Sequence, residues 1–239
     1  MGGLLKAMFK NNAPRPVCMD RMEFNIPRYT TIRHYRFQFG RFVIQTSSEE
    51  LKQIATAWLL ISVAFAILDI NGDIVKLGST EFVKYLLMAA ATVGIGFLFH
   101  ELSHKIVAQH YHCWAEFRAD AMMLILAVGM SFFGFVFIAP GAVFIQGKVT
   151  TRQNGIISLA GPVMNVALAL VFLAFGLIST PKSLFEQICF IGFGINAWLG
   201  LFNMIPFGYF DGAKVWAWRK AAYFTAVIIL AILTFISFL

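Results

Sequence analysis

The sequence predicts an all-α polytopic membrane protein, with about five full transmembrane helices and a re-entrant segment that carries a short β-like strand. Three observations support this. The 239-residue chain is 59% hydrophobic and only 13% charged, with a mean hydropathy of +0.74. A soluble domain is nearer about half apolar and about a quarter charged. Apolar runs of about 20 residues, the length that crosses a bilayer, recur between short polar turns. The lysines and arginines fall into segments that one membrane orientation gathers on a single side. The net charge of +7 is therefore read as topology, and no nucleic-acid partner is expected. Cys18, Cys113 and Cys189 form no CxxC and have unrelated spacings, so neither a disulfide framework nor a thiolate zinc site is indicated.

Residues 1–50 form a basic N-terminal segment, placed in the cytoplasm, and 51–239 form the membrane domain. Within the first, Tyr35–Ile44 alternates imperfectly, as a short strand or hairpin at the membrane surface would. Ser47-Ser48-Glu49-Glu50 supplies a hydroxyl cap and acids for a first helical turn. One span follows over about 52–70, and a second over about 81–108. Glu116 and Asp120 read as a charged surface turn. The apolar stretch 121–145 is broken by Gly129, Gly134 and Pro140-Gly141. Further spans cover 156–178 and about 184–206, and Arg219-Lys220 opens a last one that runs to Leu239.

Near the end of the second span stands His100-Glu101-Leu102-Ser103-His104. On a helix, histidines four apart are offset by about 40° and about 6 Å of rise, so both rings can reach one ion. Glu101 points about 100° away, beside the metal, where it can accept a proton from water. This resembles the HExxH arrangement of zinc hydrolases. Ionisable groups inside an apolar span are costly, which argues for a function. Two histidines leave a catalytic zinc one protein ligand short. His110 would lie about 9 Å beyond His104 on a continuing helix, because Val107 does not turn the chain back. With His112 it reads as an interfacial histidine. Asp211 remains, at the end of a span and released from the helix by Pro206 and Gly208.

Asp211 can share an ion with the histidines only if their two helices run the same way. The span 156–178 crosses once, so 121–145 must contribute no net crossing. Its 25 residues are too few for two spans of about 20 each, so it dips in and returns, turning between Gly129 and Gly141. That arrangement also places sixteen of the nineteen Lys/Arg on the cytoplasmic side with the active site, leaving Lys76, Lys84 and Lys182 outside.

The chain resembles the site-2 protease family of intramembrane zinc metalloproteases. The likeness rests on His100–His104, on Ser158-Leu-Ala-Gly-Pro-Val-Met-Asn165, and on Asn203-x-x-Pro206 followed by Asp211-Gly212. It covers about residues 81–220. It implies a three-helix catalytic core and one Zn2+ per chain held by His100, His104 and Asp211. It also implies Glu101 as the catalytic base, with Asn203 and Asn165 orienting helices or substrate. The run Gly208-Tyr-Phe-Asp-Gly-Ala213 departs from the family pattern, which carries Pro shortly before the Asp and Gly-Gly after it. The expected activity is hydrolysis of peptide bonds within or near transmembrane segments of membrane-protein substrates. Ala142–Ile145 is expected to offer a substrate-binding strand edge at the active site. A metal-ion transporter or a non-catalytic, zinc-stabilised scaffold is the alternative reading. The intact Glu101 separates these from a protease.

Overall fold

The computed structural model describes residues 34–39, 42–136 and 141–239. Most of the basic segment 1–50 and residues 137–140 lie outside the described residues. Strand β1 (His34–Phe39) pairs antiparallel with β2 (Phe42–Ser47), in the register His34 opposite Ser47, so the described residues of Tyr35–Ile44 lie in two paired strands. β2 runs directly into helix α1 (Ser48–Asp69). There Ser47 accepts the amide of Glu50, and Glu49 and Glu50 occupy the positive N-terminal turn.

Helix α2 (Thr80–Ala89) continues through one π-helical turn (Ala90–Gly94) into α3 (Ile95–His110), which carries both candidate histidines. Within this wide turn the Ala90 carbonyl accepts the Trp58 indole N–H at 3.2 Å. Gly94 lets the same indole close on the helix, since a Cβ there would stand 2.6 Å from its nitrogen. α1 is thereby clamped to α2–α3 about one and a half turns before His100.

Strand β3 (Trp114–Ala119) follows, then α4 (Ala121–Ser131) and strand β4 (Gly141–Gln146). β3 and β4 pair antiparallel, with Trp114 opposite Gln146 and Ala119 opposite Gly141, so the segment between them leaves and rejoins one two-stranded sheet. The expected charged turn is corrected here. Glu116 is buried in β3, and Asp120 caps α4 by accepting the Met123 amide. Helices α5 (Thr151–Ile178), α6 (Leu184–Asn203), α7 (Asp211–Trp218) and α8 (Lys220–Ile236) complete the described chain. α5 packs along α6 and against α3 and α7.

Among the described residues, four helices are long and apolar enough to cross a membrane: Ser48–Asp69, Thr80–His110, Thr151–Ile178 and Leu184–Asn203. A fifth full span was expected at the C-terminal end. α8 there has 17 residues, about 25 Å of helix against a hydrocarbon core of about 30 Å. It opens at Lys220 as expected, after Arg219, whose extended backbone (φ −155°) separates it from α7, and it ends at Ile236.

The strands are tied to the helices by buried polar side chains. Glu50 is fully buried, accepts from the Thr46 hydroxyl (2.7 Å) and the Phe117 amide (2.9 Å), and pairs with buried Lys105 of α3. Gln53 accepts the Ala119 amide at 3.0 Å. Gln109 accepts the Gln45 amide (3.0 Å) and donates to the carbonyls of Gln45 (2.8 Å) and Ala115 (3.2 Å). Removing one partner of a buried ion pair leaves the other uncompensated. Lys105→Met should therefore lower stability by about 3–5 kcal/mol in denaturant titrations of the detergent-solubilised protein. A change below about 0.5 kcal/mol, the size expected of a surface substitution, would contradict this reading.

Candidate metal centre

The spacing of four along α3 brings the rings of His100 and His104 together, 4.7 Å between centroids and nearly perpendicular. Both side chains are buried. Asp211 comes from the far end of the chain. α6 ends at Asn203, and the loop that follows turns at Gly208, whose φ is +65°. α7 then opens with Asp211 against the end of α6. Gly212 permits this closeness, because a Cβ there would overlap the Met204 carbonyl.

Three atoms converge as a result. Asp211 Oδ2 lies 3.2 Å from His100 Nε2 and 3.0 Å from His104 Nε2. Among the described residues, His100, His104 and Asp211 form the one group of three or more metal-ligating side chains with donor atoms within 4.8 Å of one another. Each ring is held from behind. His104 Nδ1 lies 2.8 Å from the Ile157 carbonyl, and His100 Nδ1 lies 2.5 Å from Asn165 Oδ1. A carbonyl only accepts, so His104 carries its proton on Nδ1 and turns the Nε2 lone pair towards Asp211.

The set fits a divalent metal such as zinc. Donors bonded to tetrahedral zinc at about 2.0–2.1 Å stand about 3.3 Å apart, close to the separations seen here. The space is present too. A Cβ at Gly161 of α5 would lie 2.5 Å from both Nε2 atoms, so glycine leaves open the region where the lone pairs converge. Two imidazoles, a carboxylate and no thiolate form the donor set of catalytic rather than structural zinc sites.

The remaining predicted residues are distributed around this point. Glu101, half-buried, lines a cavity of about 420 Å³ together with His100, His104, Asp211 and Lys214. Asn165 contacts His100. Asn203 also borders the cavity, but its amide donates to the Leu199 carbonyl at 2.9 Å and not to a ligand. His110, at the exposed end of α3, is outside the group. Gly161 stands inside a sequence motif, but only the fold shows that its missing side chain borders the ligands. The Ile157 carbonyl is not legible in the sequence, since no side-chain pattern identifies a backbone acceptor.

Gly161→Ala should abolish or strongly weaken zinc binding, measured as zinc per purified chain, while leaving the melting temperature near that of the parent. Full zinc content in the variant would mean that the ion does not sit beside α5.

A protein of Methanocaldococcus jannaschii, provisionally named a zinc metalloprotease, is 49% identical to this chain over 135 residues, which is 56% of this chain and 71% of the relative. No protein-family model and no solved structure matches the chain. At that identity and coverage, the chain belongs to the same zinc metalloprotease family as its archaeal relative.

Proposed function

We propose that the protein is an intramembrane zinc metalloprotease of the site-2 protease type, cleaving membrane-protein substrates within or near their transmembrane segments. The observation that carries this reading is the position of the ligand cluster. Its two histidines stand on a 31-residue helix apolar enough to cross a bilayer, beside a cavity bordered by a strand. A polar site in such a helix has ready access to substrates that share its membrane.

When bound, zinc supplies Lewis acidity towards a carbonyl and lowers the pKa of a water towards about 7. His100, His104 and Asp211 hold that ion. Glu101, adjacent on the helix, takes the proton from the attacking water and returns it to the amine that leaves when the C–N bond breaks.

A helical substrate must first be unwound, because its carbonyls are bonded internally, and the exposed backbone then needs partners. β4 provides them. On β3, the amides of Phe117 and Ala119 and the carbonyl of Ala115 are taken by Glu50, Gln53 and Gln109, so residues 115, 117 and 119 turn away from β4. By antiparallel alternation, β3 bonds β4 through Ala142, Phe144 and Gln146. Val143 and Ile145 therefore direct their backbone groups to the outer edge, and both line the cavity. One edge of the sheet is closed by side chains, and the other borders the candidate site.

The same reading makes 121–145 a re-entrant segment of a multi-pass protein in the lipid bilayer, with its N-terminal segment and active-site side in the cytoplasm. The return of the chain to one sheet supports it, since β4, paired to β3, borders the cavity.

Glu101→Gln should retain zinc and the fold but lose about 10²–10⁴-fold in cleavage of a single-span substrate in detergent. Undiminished cleavage, or zinc flux into vesicles that ignores the substitution, would favour a transporter or scaffold. At the strand edge, Val143→Pro removes one outward N–H while sparing the pairing to β3. It should reduce kcat/KM by about two- to tenfold, the worth of one hydrogen bond, whereas Val143→Ala should not. Equal cleavage by both variants would remove the edge from the substrate path.

A further inference from the structure

Asn196 lies in the middle of α6, is fully buried, and does not line the cavity. We infer that Asn196 is a positioning residue: acting through Asn165, it determines which nitrogen of His100 faces the metal ion. This rests on the metal reading proposed above and extends it to a residue with no direct contact to the site.

The argument follows donors and acceptors along a buried chain. Asn196 Nδ2 donates to the backbone carbonyl of Gly192 at 2.8 Å. That carbonyl only accepts, so the Asn196 amide cannot be reversed without losing the bond. Its Oδ1 consequently faces Asn165 and accepts Asn165 Nδ2 at 3.1 Å. The Asn165 nitrogen, which also reaches the Gly96 carbonyl at 3.4 Å, is thereby committed. Asn165 Oδ1 is left for His100 Nδ1, 2.5 Å away, and it too only accepts. The proton of His100 is placed on Nδ1 and the lone pair on Nε2, pointing at Asp211.

A reversed Asn165 would present its NH2 to His100 Nδ1. The proton would then be driven to Nε2, the atom that has to ligate. Both amides are fully buried, so no water is at hand to replace a lost partner. Room for the relay is made by Gly96 of α3, where a Cβ would overlap Asn196 Oδ1. His104 needs no such relay, since Ile157 offers a backbone carbonyl directly. The two histidines of one site are thus oriented by different means, and only His100 depends on α6.

That difference supplies an internal control. Full-length protein in detergent, as wild type, Asn196→Leu and Asn196→Asp, is titrated with zinc against a competing chelator. ¹⁵N-histidine NMR spectra are then recorded on the zinc-loaded forms. Asn196→Leu should weaken zinc binding by about 10–100-fold, as loss of groups behind a ligand does. It should also displace the Nδ1 resonance of His100 while leaving that of His104 in place. Asn196→Asp, whose protonated acid offers a donor to Gly192 and an acceptor to Asn165, should restore most of the affinity. If Asn196→Leu does not fold, Asn196→Ala removes the same amide without added bulk and is read in the same way. Wild-type affinity and an unmoved His100 resonance in a folded apolar variant would overturn the inference while leaving the metal centre standing. The inference falls equally if Asn196→Asp loses as much affinity as the apolar variants. Failure of the wild type to bind zinc would overturn both readings.

Discussion

The structure depends on one constraint: two imidazoles and a carboxylate must meet inside a bundle of otherwise apolar helices. Each buried polar atom there needs a partner, or it costs about 1–3 kcal/mol. The surroundings of His100 and His104 follow from that requirement. Nδ1 of each ring is paired to an acceptor, Nε2 of each faces Asp211, and α5 gives up a side chain at Gly161 so that the donors stay open. α3, α5 and α6 are thereby joined by polar contacts as well as by packing, and α7 is held against them by its first residue.

A second requirement shapes the strands. Two-stranded sheets expose unpaired backbone on both sides, a hazard within or beside a membrane. Here one side chain, Gln109, serves both sheets at once by bonding Gln45 of β2 and Ala115 of β3. Glu50 and Gln53 complete the closure of β3. Because Glu50 also pairs with Lys105, the residue after His104, the N-terminal hairpin, the ligand helix and the sheet share one buried network. The edge left to border the cavity belongs to β4, and the proposed handling of an extended substrate rests on that asymmetry.

Much of this was legible in the sequence because it is local. Histidines four apart share a helix face, whatever the rest of the chain does. Pro206 and Gly208 announce that the helix ends before Asp211. The helix cap at Ser47 was equally readable. What escaped was the network of long-range pairings. His100 meets Asn165 across 65 residues, Glu50 meets Lys105 across 55, and Asn165 meets Asn196 across 31. A buried lysine reads in sequence as a surface charge, and a glycine reads as a turn or a packing site until its neighbour is known. The last span was expected to run to Leu239, but α8 ends at Ile236.

The central claim is that one zinc ion is bound by His100, His104 and Asp211. X-ray absorption at the zinc edge of the purified protein tests it most directly. The account predicts two imidazole nitrogens at about 2.0–2.1 Å and carboxylate or water oxygen at about 2.0–2.2 Å, with no sulfur shell. Asp211→Ala should lose the carboxylate's contribution and keep both imidazoles. A sulfur shell at about 2.3 Å, a third imidazole, or a spectrum unchanged by Asp211→Ala would contradict it.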